Sequence, residues 1–148
     1  PPPKPNAPLP PVPTPAIPTV DVVNVGGFVV SVAIAPQLRS LLDAFAPTGH
    51  VLGGGAYRDP ASQISLRAAH CGPTYYDIYL KPSSQCSPPT ARPGASMHEL
   101  GMAIDFTCDG TLINSHDNVC FVWLAANAAN YGLYNLPSEP WHWSTNGN

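Results

Sequence analysis

Residues 19–35 are rich in valine and isoleucine and are broken once, at Gly26-Gly27, a pattern that predicts one or two short strands. Pro36 then opens a stretch where Leu38, Leu41, Leu42 and Phe45 recur at helical spacing, and Pro47 stops it. Val51-Leu52 reads as a short strand running into Gly53-Gly54-Gly55, where the chain turns closely past something before Tyr57-Arg58. Asp59 is a helix N-cap with Pro60 at the first helical position. That helix runs through Ile64, Leu66 and Ala69 to about His70. Residues 102–107 alternate: Met102, Ile104 and Phe106 face one way, Ala103, Asp105 and Thr107 the other. Residues 108–120 predict a hairpin turning at Asp109-Gly110. Residues 118–131 predict a helix with Phe121, Leu124, Ala125 and Ala128 inward, ended by Gly132. A short strand follows near Leu133–Asn135, and then Pro137 to Trp143, with Trp141 and Trp143 on one face of a C-terminal strand and His142 on the other.

Two stretches break this pattern. Residues 1–18 hold ten of the 20 prolines and read as an extended polyproline II linker, leaving residues 19–148 as one folded domain. Residues 71–95 hold five more prolines and form a long excursion that also carries Tyr75, Tyr76 and Tyr79, candidate contacts for a partner. Only 10% of residues are charged and the net charge is −3, so no basic face for nucleic acid is expected. A hydrophobic fraction of 44% excludes a disordered acidic chain. No apolar run reaches the ~18 residues of a membrane span, and no signal peptide is present in the chain as given.

Cys71, Cys86, Cys108 and Cys120 form no C-x-x-C. An even count, two lysines and the proline-rich leader fit an exported protein with disulfides Cys71–Cys86 and Cys108–Cys120, each closing a short local loop. Four buried free thiols are the alternative.

The chemistry gathers around two of five histidines. His98 is followed by Asp105, on the strand face opposite Met102, Ile104 and Phe106; the small neighbours Ala103 and Thr107 leave room for something to approach, and a carboxylate there is either exposed or bound to a cation. The spacing from 98 to 105 is odd, and Gly101 supplies the break that lets His98 fold back. His142 is held between two tryptophans and preceded by Glu139, which a turn at Pro140 swings back beside it. Two imidazoles and a carboxylate make an open three-ligand zinc site, the catalytic type, and Glu139 is the candidate general base. Each of these histidines, taken singly, is more often an ordinary core or surface residue. His50, His70 and His116 keep that reading, with His70 ending a helix; Glu99, beside a ligand, reads as a supporting or exposed residue. His98-Glu99 does not open an H-E-x-x-H motif, and neither S-x-x-K, G-x-S-x-G nor a Walker A loop occurs.

The run S-x-H-x-x-G-x-A-x-D-F from Ser96 to Phe106, followed by E-P-W-H-W from Glu139 to Trp143, resembles the D-alanyl-D-alanine carboxypeptidase family of zinc peptidases (peptidase family M15, VanY-like). Gly53 to Arg58, with Gln63 five residues on, resembles the family's upstream motif. The likeness runs from about residue 20 to the C-terminus and is to the exported actinobacterial forms. It implies a small α+β domain: a central antiparallel sheet, helices packed on one side and a zinc site on the open face (hedgehog/DD-peptidase-like). It implies one Zn2+ per chain held by His98, Asp105 and His142, with Glu139 as base and then acid and Arg58 stabilising the oxyanion. Gln63 and Ser96 match positions near the substrate; Gln63 bracing Arg58, and Ser96 as a turn residue near His98, are the alternatives. The departures are Asp59 where serine is common, Ala56 where glycine is more usual, and the long 71–95 excursion.

The implied activity is hydrolysis of peptidoglycan stem peptides by a secreted or cell-envelope monomer, with no nucleic-acid partner and no membrane span in this chain. A D-alanyl-D-alanine carboxypeptidase comes first; an endopeptidase with the same site, or a non-catalytic zinc-stabilised wall-binding module, are the alternatives. Retention of both Glu139 and Arg58 argues against the last, because a structural zinc needs neither. A carboxypeptidase also needs a cation for the substrate carboxylate, and Arg67 and Arg92 are the candidates.

Overall fold

A computed structural model describes residues 20–148; the proline-rich leader expected over residues 1–18 lies outside them. The described chain divides into two compact units, Val20–Tyr57 with Leu100–Asn148, and Arg58–Glu99. Among the described residues no helix is long and apolar enough to cross a membrane.

In the first of these units, β1 (Val22–Val25) and β2 (Phe28–Ser31) form an antiparallel hairpin. Gly26 and Gly27, with φ of 59° and 95°, make the two-residue turn whose twist suits paired strands. Helix α1 (Ala35–Phe45) buries Leu38, Leu41 and Phe45 as the spacing predicts, and a 3-10 turn at Ala46–Thr48 follows it. An antiparallel sheet has the order β3-β4-β7-β6, from β3 (Leu52–Gly55), β4 (Ala103–Cys108), β6 (Tyr134–Leu136) and β7 (Glu139–Ser144); β5 (Thr111–Leu112) pairs with β4 through a turn at Asp109-Gly110. Ile104 and Phe106 are fully buried on the core face of β4. Phe28 packs edge-on against Phe106, and Phe121 of α3 (Val119–Asn127) against Trp143, so hairpin, helices and one sheet face share a single apolar core. The α+β class and the central antiparallel sheet are as expected.

Three expectations about this unit change. The glycine run is strand rather than turn: Gly53, Gly54 and Gly55 pair with Thr107, Phe106 and Asp105. A side chain at Gly54 would run into the main-chain oxygen of Asp105, so the close approach is to β4 itself. Helix α3 ends at Asn127 and continues as a 3-10 turn to Tyr131, and Ala125 is exposed, because the inward stripe runs through Cys120, Phe121, Leu124 and Ala128. Pro140 lies inside β7 and makes no turn.

The Arg58–Glu99 unit is built on α2 (Pro60–Cys71), capped by Asp59, whose side chain accepts the Ser62 N–H at 2.8 Å. Its inward face is Gln63, Arg67 and Cys71. Arg67 is the centre of that face. It is fully buried, and its guanidinium donates to the main-chain oxygens of Asp77, Ile78, Lys81 and Thr90 at 2.7–2.8 Å, and to Cys86 Sγ at 3.2 Å. These contacts gather the 72–92 excursion, which turns through a π-helical segment at Tyr76–Leu80. Both disulfides have the expected pairing, Cys71–Cys86 and Cys108–Cys120.

Candidate active site

Pairing in the sheet sets the first half of the site. Asp105 on β4 lies directly opposite Gly55 on one side and His142 of β7 on the other. Opposed residues share a face, and a Cβ built at Gly55 meets nothing within 4 Å, so the carboxylate has open space beside it. His142 Nδ1 lies 3.0 Å from Asp105 Oδ1 and 4.0 Å from Glu139 Oε2. The other ring nitrogen, Nε2, is 2.7 Å from the main-chain oxygen of Asn148.

That last contact assigns the ring. A main-chain oxygen can only accept, so Nε2 carries a hydrogen and the lone pair of the neutral ring sits on Nδ1. The lone pair then faces two carboxylates, an arrangement that calls for a proton or a cation between them. Burial pushes the imidazolium pKa down. The hydrogen bonds to Asp105 and Asn148, with the charges of Asp105 and Glu139, outweigh it and raise the pKa above its usual value. What draws a proton to Nδ1 would also draw a metal cation. A metal-binding histidine whose second nitrogen donates to a main-chain oxygen is the common arrangement. The donors here, imidazole nitrogen and carboxylate oxygen, suit zinc.

The Arg58–Glu99 unit carries the other predicted residues. Arg58 Nη1 donates to Gln63 Oε1 at 2.8 Å, and Gln63 Nε2 donates to the Ala91 main-chain oxygen at 2.8 Å. Gln63 is almost wholly buried, so these are the contacts of a brace for Arg58. His98, buried, sits on a 3-10 turn at Met97–Leu100. Its N–H donates to Ser96 Oγ at 3.2 Å and its main-chain oxygen accepts from Arg58 N at 3.0 Å. Ser96 makes the turn contact its alternative reading described. Glu99 accepts the N–H groups of Gly94 and Ser96, so it fastens the same turn. Gly101, with φ of 67°, supplies the expected break before β4.

One of the two candidate cations for a substrate carboxylate drops out. All five guanidinium hydrogens of Arg67 are engaged within its own unit, so it has none left for a substrate carboxylate. Arg92 is exposed and bonds the Leu80 oxygen through one nitrogen at 2.7 Å. The remaining histidines are accounted for. His50 pairs with Asp109 at 2.7 Å, and Cys108 beside them is tied in its disulfide and is no thiolate ligand. His70 in the last turn of α2 meets Thr90 Oγ1 at 2.7 Å, and His116 lies 3.1 Å from the Pro137 main-chain oxygen. Sequence reasoning missed Asn135 and Asn148, both of which touch His142; an isolated asparagine gives no signal of main-chain contacts.

The sequence model of the VanY family, described as D-alanyl-D-alanine carboxypeptidase, matches residues 29–148. A D-alanyl-D-alanine carboxypeptidase of Enterococcus faecalis (strain ATCC 700802 / V583) is 27% identical over 128 residues, 77% of this chain and 47% of the relative. The chain thus spans about half the length of that curated relative. VanYB, solved in complex with D-alanine-D-alanine, superposes with a TM-score of 0.66 at 26% identity, covering 88% of this chain and 80% of the other. A VanY D,D-pentapeptidase from a VanB-type vancomycin-resistance cassette, a glutamate-to-alanine mutant in complex with Zn(II), gives 0.65 at 26% identity with the same coverage. With most of its length matched by the family and the motif residues of β4 and β7 paired side by side, the chain belongs to the VanY family of D-alanyl-D-alanine carboxypeptidases.

Proposed function

We propose that the chain is a zinc peptidase that removes the terminal D-alanine from peptidoglycan stem peptides. The observation that carries this reading is the cross-strand pair of Asp105 and His142 with the Glu139 carboxylate 4.0 Å from the same imidazole nitrogen. His98, Asp105 and His142 are the proposed ligands of one zinc ion. Zinc bound there would bring the pKa of a water near 7 and polarise the scissile carbonyl.

The chain's own residues do the rest. Glu139 accepts the proton of the attacking water and passes it to the leaving amine, so one carboxylate serves as base and then acid. The Arg58 guanidinium, held by Gln63, places a fixed positive charge for the oxygen that becomes negative. Asn148 keeps the Nδ1 lone pair of His142 turned toward Asp105. Two disulfides favour an oxidising compartment, consistent with action at the cell wall.

The test is metal content and hydrolysis on one preparation, wild type beside Glu139→Ala, with a D-Ala-D-Ala-terminated pentapeptide and purified peptidoglycan as substrates. The expected result is one zinc per chain and D-alanine release, with the variant keeping its metal and losing activity by 100-fold or more, on the order of a general base's contribution. Cleavage of peptidoglycan without D-alanine release would replace the carboxypeptidase with an endopeptidase. Zinc without any hydrolysis would replace it with a binding module.

A further inference from the structure

Glu139 and His142 stand three residues apart on one strand. In a regular strand that odd separation puts their side chains on opposite faces. They share a face because β7 is bulged. Its register with β6 runs Tyr134 to Ser144 and Asn135 to Trp143, then jumps to Leu136 opposite Glu139. One step along β6 is matched by four along β7, so Pro140, Trp141 and His142 are extra residues on the bulged strand.

The extra residues of the bulge have no opposite number on β6, so their main-chain groups look for partners elsewhere. The Pro140 oxygen accepts the Trp143 indole N–H at 3.1 Å. The oxygens of Glu139 and His142, one at each end of the bulge, both accept from Asn135 Nδ2, each at 3.0 Å. The amide orientation follows from the partners. Two main-chain oxygens can only accept, so the –NH2 group faces them and gives one hydrogen to each.

We propose that Asn135 is a positioning residue: its carboxamide clamps the two ends of the β7 bulge and so holds the Glu139 carboxylate and the His142 imidazole on one face. This rests on the reading of Glu139 as the base and His142 as a zinc ligand. Asn135 touches neither substrate nor metal and acts through those two side chains. Aspartate has nearly the same shape but offers only acceptors, so it removes both donors and turns a negative charge on two oxygens. A residue that merely filled space would tolerate that exchange.

The experiment compares wild type, Asn135→Ala, Asn135→Asp, Glu139→Ala and the double variant Asn135→Ala/Glu139→Ala. It measures zinc affinity by competition with a chromogenic chelator, and kcat and KM on the D-Ala-D-Ala-terminated pentapeptide. Both Asn135 variants should bind zinc about 10-fold or more weakly, and at saturating zinc lower kcat about 10- to 100-fold with KM little changed, the range seen when a supporting partner of a metal ligand is removed. In the Glu139→Ala background, at saturating zinc, the added Asn135→Ala should lower kcat clearly less than it does in the wild type, because one of the two groups it positions is already gone. Wild-type kcat and zinc affinity in Asn135→Asp would overturn the proposal. So would a loss that multiplies fully in the double variant and follows the melting temperature. The underlying reading fails separately: Glu139→Ala at wild-type kcat removes the base, whatever Asn135 does. If the wild type leaves the pentapeptide uncut, the zinc affinities of the two Asn135 variants still decide the clamp.

Discussion

The two units are held together by different physics. In the sheet unit the buried side chains are overwhelmingly apolar, from Val25 and Phe28 through Leu38, Leu41 and Phe45 to Ile104, Phe106 and Leu124. In the Arg58–Glu99 unit the buried apolar residues are Ile78 and the Cys71–Cys86 disulfide, and the rest of its buried set is Gln63, Arg67, Thr90, Ser96 and His98. Apolar burial is non-directional and tolerates repacking. A polar interior fixes direction, because each donor must meet its acceptor, and removing one member leaves its partners unsatisfied in a dry place. The sheet unit is therefore the robust scaffold, and the second unit is the place where one substitution loosens a whole excursion.

The largest effect expected is at Arg67. Arg67→Ala leaves the oxygens of Asp77, Ile78, Lys81 and Thr90 without that donor, and about 4 kcal/mol is the expected loss for breaking a buried charged network. Hydrogen exchange should show amides over residues 72–92 losing protection while those of β4 and β7 keep theirs. Equal loss in both regions would end the contrast. Phe106→Ala comes next, at roughly 3–4 kcal/mol for a truncated core aromatic. It should lower protection across β3, β4 and β7, with residues 72–92 the less affected.

The disulfides sharpen the contrast further. Their loops are similar, with separations of 15 and 12 residues, so chain entropy alone gives about 3 kcal/mol for each. Replacing Cys71 and Cys86 by alanine should nevertheless cost its unit more local protection than the matching change at Cys108 and Cys120, because apolar packing holds β4 and α3 in place. Proteolysis of the two double variants under native conditions, mapped by mass, reads the difference.

The smallest effect concerns pH. The Ser62 main-chain N–H bonded to Asp59 holds that carboxyl below the usual range. A lowered folded-state pKa stabilises above the unfolded value of about 3.9 and is lost as pH falls through the folded pKa. Asn135 and the sheet take no part in this. Asp59→Asn keeps a capping oxygen without a titrating charge, so the gap in α2 protection between wild type and variant should shrink as pH falls from about 5 toward 2.

Where the core is apolar, the sequence is a good guide. The spacing of Leu38, Leu41 and Phe45 placed α1, and alternation at Ile104 and Phe106 placed β4 with Asp105 on its other face. In the polar-cored unit the cap at Asp59 and the extent of α2 were legible, but its buried face was not: that face is Gln63, Arg67 and Cys71, and hydropathy gives no reason to turn a glutamine and an arginine inward. The site was legible as motifs: Asp105 and His142 stand opposite each other, and Glu139 is beside His142. The way Glu139 gets there was not legible. A bulge adds residues without disturbing the hydropathy pattern, so Pro140 read as a turn, and Asn135, which closes the bulge, left no trace.

The glycine run opposite β4 separates two kinds of mutational intolerance. At position 54 any side chain strikes the main-chain oxygen of Asp105, so the fold itself rejects every other residue. At position 55 the space is open, and the fold accepts a side chain there. That side chain would stand on the same face as Asp105, across the paired strand from it. In a saturation library selected first for expression and then for hydrolysis, variants at 54 should vanish in the first sieve. Those at 55 should survive it and fall in the second.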